Sequence, residues 1–112
     1  MTLVEHLRAL EVDEVGVYLL QGQERDEVVA ACRDAGKSVV DLDLQPAVVI
    51  TADAMLQDGV VHTLKEDVDA AVPDAQTVIV LRLVGDAPLA PTMDAYLDVE
   101  MIAGRDVWLD DL

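Results

Sequence analysis

The chain has 112 residues, of which 23 are Asp or Glu and seven are Lys or Arg, giving a formal net charge of −16, yet 53% of it is hydrophobic. That apolar share excludes an acidic disordered tail, which pairs charge with low hydrophobicity, so the charge must coat a folded body. The same balance argues against nucleic acid and anionic membranes as direct partners, because no window clusters the Lys and Arg that phosphates require.

In chain order, Leu3, Leu7 and Leu10 recur at helical spacing behind Thr2 and Glu5, a capping-box pair, and predict a short opening helix. Val15 to Leu20 is a continuous apolar, β-branched run and reads as a buried strand ended by Gly22. Glu24 to Ala35 predicts a helix: Val28, Ala31, Cys32 and Ala35 share a face, acids crowd the first turn and Gly36 supplies the stop. Lys37 to Leu44 reads as a second strand, and a right-handed crossover would make the two strands parallel.

Gln45-Pro46 turns the chain into a short strand over Ala47 to Thr51. Beyond it, Ala54 to Leu56 could open a helix, but Asp58-Gly59 between Met55-Leu56-Gln57 and Val60-Val61-His62 favours a hairpin turn. Leu64 to Val72 predicts a helix, with Thr63 and Glu66 as a second capping pair and Pro73 as terminator.

Thr77 to Val84 is the most strand-like run, with Val78, Val80, Arg82 and Val84 on one face and Ile79, Leu81 and Leu83 on the other. Arg82 is expected to pair with a carboxylate or to lie at a sheet edge. Gly85 to Pro91 reads as a surface loop. Leu97, Val99 and Met101 then alternate with acids, and Val107-Trp108-Leu109 resumes after Ala103 to Asp106, predicting a C-terminal β-hairpin; a helix over Met93 to Ile102 is the alternative. The expected fold is a single α/β or α+β domain over residues 1–112, with a mixed β-sheet, a strand-helix-strand unit in the N-terminal half and that C-terminal hairpin.

Met1 to His6 has no basic region followed by a long apolar stretch, and no uncharged run approaches the roughly 18 residues of a membrane helix. Cys32 is the only cysteine, which suits a reducing compartment, so a cytoplasmic location is expected.

The chemical motifs are mostly absences. The first strand-to-helix turn, Leu20 to Arg25, has one glycine followed by acids and does not support a Rossmann or P-loop nucleotide site. His6 and His62 fit no metal-ligand spacing, and Ser38 lacks a Gly-flanked elbow. Cys32, on an apolar helix face, is expected to pack as a small hydrophobe. No cofactor is implied.

Two constellations remain as candidates. Asp41 and Asp43, at the end of the second strand, and Asp53, just after the third, could hold Mg²⁺ for phosphoryl transfer or phosphate-ester hydrolysis, because ligands bind at the carboxyl ends of parallel strands. In a different class, the apolar residues near the C-terminus, among them Tyr96, Met101 and Trp108, could exceed what one small core accepts, which points to a self-associating assembly module, for instance a homodimer.

The 23 acids, mostly Asp, face five Arg and only Lys37 and Lys65 as lysines. In this the whole chain resembles the small acidic proteins of halophilic archaea. The resemblance implies a surface adapted to molar salt, which screens charge within about 3 Å, and implies no named activity.

Overall fold

The computed structural model describes residues 2–57, 60–82 and 99–112. Thr2 opens helix α1 (Leu3–Ala9), its hydroxyl accepting the Glu5 amide at 3.2 Å. Strand β1 (Glu14–Val17) leads into helix α2 (Gly22–Asp34), which ends as the glycine predicts. Gly36, at φ 75°, lets its own amide donate to Arg33 and the Lys37 amide to Cys32, the two bonds that close a helix C-terminus. Strand β2 (Ser38–Val40) follows, then a 3-10 turn at Leu42–Leu44 and strand β3 (Val48–Ala52). Strands β4 (Ala54–Gln57) and β5 (Val60–Thr63) pair antiparallel and feed helix α3 (Leu64–Ala71). Strand β6 (Thr77–Leu81), strand β7 (Asp106–Trp108) and a 3-10 turn at Leu109–Asp111 complete the described chain.

Among the described residues, five strands form one parallel sheet in the order β2-β1-β3-β6-β7. The chain leaves β1 for one edge and returns to its other side, so β1 and β3 flank the point where strand order reverses. Alternation sorts the side chains onto two faces. Val15, Val48, Ile50 and Ile79 pack with Leu7, Val28 and Cys32, which places α1 and α2 on the first face. Val49, Val78 and Val80 pack with Val68 of α3 and with Val72, which caps that helix, on the second. Full burial of each such side chain is worth about 1.5–3 kcal/mol relative to exposure, and this two-sided packing is what holds the parallel sheet.

Several expectations shift in detail. The first strand ends at Val17 and the second at Val40, so Asp41 and Asp43 do not share a strand face: Asp41 precedes a 3-10 turn and Asp43 lies within it. The antiparallel hairpin lies at β4–β5, as Asp58-Gly59 suggested, although those two residues are outside the described set.

The C-terminal hairpin is corrected. Val107 pairs in parallel with Ile79, and residues 99–105 form no strand. The free edge of β6 supplies a longer-range partner than the nearby alternating run, and local periodicity cannot register that choice. Thr63 also departs from expectation, since its hydroxyl donates to the Glu66 carboxylate at 3.1 Å instead of capping the α3 backbone. No helix among the described residues is long and apolar enough to cross a membrane.

Candidate functional site

At the carboxyl ends of β1 and β2 lies an open groove of about 490 Å³, lined by residues 17–21, by Arg25 of α2, and by Asp41, Leu42 and Asp43. Its wall is braced by α3. The Tyr18 hydroxyl donates to Asp67 of α3 at 3.2 Å, and partial burial together with the Asp67 charge pushes the phenol above its ordinary value. The Thr51 hydroxyl donates to the Tyr18 carbonyl at 3.3 Å. Leu19 has φ 49°, an uncommon conformation for a residue with a side chain, and remains 47% exposed.

Gly16 explains how the β2-to-β3 connection can be so short. A Cβ at that position would come within 2.7 Å of Pro46 Cγ and 2.8 Å of Leu42 Cδ2, so the bare backbone is what lets residues 42–46 lie against β1. Gln45, at φ 51°, then donates its side-chain amide to the Ala71 carbonyl at 3.0 Å and ties the turn to the end of α3.

Of the three candidate metal ligands, Asp41 and Asp43 line the groove, whereas Asp53 is buried and lines a separate cavity of about 30 Å³ with Thr63, Lys65, Glu66, Asp69, Val99 and Glu100. Asp53 serves as a junction. Its amide donates to Leu81, its carbonyl accepts from Leu64 and its carboxylate accepts the Ala54 amide at 2.7 Å, joining the end of β3 to β4, α3 and β6. Among the described residues no three His, Cys, Asp or Glu side chains are placed to hold one metal ion.

Beside that cavity is an ion network that the sequence reading did not find. Lys65 donates to both Asp69 oxygens, at 2.9 and 2.8 Å, and to the Glu100 carbonyl at 2.9 Å, and it pairs with Asp106 at 2.8 Å. Arg105 closes the ring on Asp69 and donates from Nε to Asp106 at 2.6 Å, while the Ile102 amide adds a third donor to Asp106 at 2.7 Å. Burial alone would push the Asp106 carboxyl up. The Arg105, Lys65 and Ile102 donors and the Lys65 charge outweigh it and hold the carboxyl below its usual range. The i, i+4 pair Lys65–Asp69 was visible as helix spacing, but its burial depended on β7 arriving alongside.

Of the candidate interface residues, Met101 and Trp108 are half-buried against the second face, and Tyr96 lies outside the described residues. Arg82 finds the carboxylate expected of it, Asp110 at 3.3 Å, and also lies over the Trp108 ring at 3.9 Å from the centroid. Cys32 is fully buried in the first core with its thiol pushed up by burial, the environment of a packing residue. Nε2 of His6 is buried and has no hydrogen-bond partner among the described residues.

No family model matches the chain. It is 32% identical over 117 aligned residues, 89% of its length, to an acetyl-coenzyme A synthetase of Methanothrix thermoacetophila, and it spans only 16% of that protein. The acetoacetyl-CoA synthetase from Streptomyces lividans shares the fold over 98% of the chain and 18% of that structure, with a TM-score of 0.67 at 21% identity.

Proposed function

We propose that this chain is an acyl-CoA-synthetase-type α/β module that works through assembly, joining further domains of that type instead of making or breaking bonds on its own. The observation carrying the proposal is collinear: 32% identity runs through 89% of the chain, and a solved synthetase has the same fold over 98% of it. Because the chain spans 16% and 18% of these two proteins, their named activities belong to far longer polypeptides. The groove supports a structural role over a cofactor-holding one, since Asp41 and Asp43 on its rim would repel the phosphates of coenzyme A.

Self-association is a second form of the same reading. It is favoured by β7, which among the described residues lies at the sheet edge and carries the half-buried Trp108. The excess of acids is read as an adaptation to concentrated salt.

Affinity purification of the tagged chain from its native host in molar KCl, with light scattering of the isolated chain, tests this. Co-purification of a polypeptide carrying the remaining synthetase-like sequence, or a species well above 12.1 kDa, is expected. A chain that stays monomeric, purifies alone and forms acyl-CoA unaided would overturn the reading.

A further inference from the structure

We propose that the surface left by the helix-free connection between β2 and β3, formed by Val40, Leu42 and Leu44 with Leu19 at its rim, docks one amphipathic helix of a partner protein whose apolar stripe is flanked by Lys or Arg. This rests on the assembly role proposed above and states where the assembly is made.

Parallel strands of one sheet are ordinarily joined by a dozen or more residues, usually including a helix that covers the sheet. The β1-to-β2 and β3-to-β6 connections follow that pattern with α2 and α3. From β2 to β3 the chain has only residues 41–47, with one 3-10 turn at Leu42–Leu44. Gly16 allows the turn to lie against β1, where Leu42 and Pro46 cover it.

Val40, paired in register with Gly16 and so on the same face, is only half-buried. Leu44 is 66% exposed and Leu19 47%, two of the three large apolar side chains exposed among the described residues. Leu19 and Gln45, the two non-glycine residues with positive φ among the described residues, bracket this surface, and each such conformation costs on the order of 1 kcal/mol that the surrounding contacts must hold. The result is the place of a crossover helix without the helix.

Charge selects the occupant. Asp41 and Asp43 are exposed at the turn, and the whole chain carries −16, so a second copy would bring like charge to this face whereas a basic-flanked helix brings its complement.

The test titrates the full chain with a fluorescein-labelled peptide of about 18 residues that has a Leu stripe at helical spacing and Lys/Arg flanks, and with its Glu-flanked counterpart, by anisotropy over a range of KCl. The basic peptide is expected to bind and the acidic one to fail. Leu44→Asp and Leu19→Asp should each weaken binding about tenfold, while Ile102→Asp, also exposed but on the opposite side of the sheet order, leaves it unchanged. Circular dichroism of each variant checks that it stays folded.

Equal binding of the two peptides, an Ile102→Asp effect as large as that of Leu44→Asp, or a wild-type dimer that Leu44→Asp dissolves would each overturn the proposal. An assembly in the host that survives Leu44→Asp removes the docking site and leaves the assembly role standing. Absence of any assembly with the wild-type chain removes the role itself.

Discussion

Lys65 Nζ lies 2.8 Å from Oδ2 of Asp106, with the two side chains 2% and 0% exposed. The contact joins α3 to the last strand of the sheet, and Asp69 and Arg105 complete it as two cations against two carboxylates. A buried pair of this kind adds little over an apolar pair of equal volume, but removing one partner strands the other.

Asp106→Asn should therefore cost about 3 kcal/mol in denaturant unfolding, because it leaves Lys65 and Arg105 to share Asp69. The Lys65→Met/Asp106→Asn double variant should lose at least about 1 kcal/mol less than the sum of the two single changes. Strict additivity would mean that the pair does not interact.

Acidification should act through the same carboxylate. Because the Asp106 carboxyl titrates below its unfolded counterpart, its ionised form stabilises the fold fully above the ordinary carboxylate value of about 4. That contribution is lost as pH falls through the lower folded value. The stability gap between wild type and Asp106→Asn should be constant from about pH 7 to 5 and shrink below about 4 in acid titrations of unfolding.

Gly16→Ala should destabilise by about 1–3 kcal/mol, because its methyl would meet Pro46 and Leu42 at 2.7 and 2.8 Å. A thermal melt reads the loss. An unchanged midpoint would mean that the connection can lift away from β1 at little cost.

Cys32 should resist alkylation in the folded chain at neutral pH, being fully buried with its thiol pushed up. The labelling rate should rise in step with unfolding as denaturant is added. Rapid stoichiometric labelling of the native protein would contradict the packing role.

If the acidic coat is tuned to brine, unfolding should be cooperative in molar KCl and the folded state should weaken on dilution, as 23 acids against seven bases repel one another without screening. Equal melting temperatures in dilute buffer and in molar KCl would remove the salt adaptation.

The N-terminal half was legible because its signals are local. Apolar runs, a helix face carrying Val28 and Cys32, and Gly36 as a stop lie close together in the chain, and β1, α2 and β2 formed within those stretches, although β1 and β2 stop short at Val17 and Val40. The two faces of β6 were also readable from strict alternation. What escaped depends on distant pairings. Nothing near Val107 says that it will lie beside Ile79, and nothing near Lys65 says that the helix face carrying it will be covered. The candidate carboxylates were separated for a related reason: Asp53 was drawn inward as a junction, while Asp41 and Asp43 stayed on a turn.

The ion network also bears on the order of events during synthesis. Lys65 leaves the ribosome about 40 residues ahead of Asp106, a delay of a few seconds at ~5–20 residues per second. Through that interval only Asp69 is at hand to balance an ammonium destined for the interior, and the lysine is better left hydrated. Helix α3 then has reason to settle only after the stretch that carries Arg105 and Asp106 has emerged.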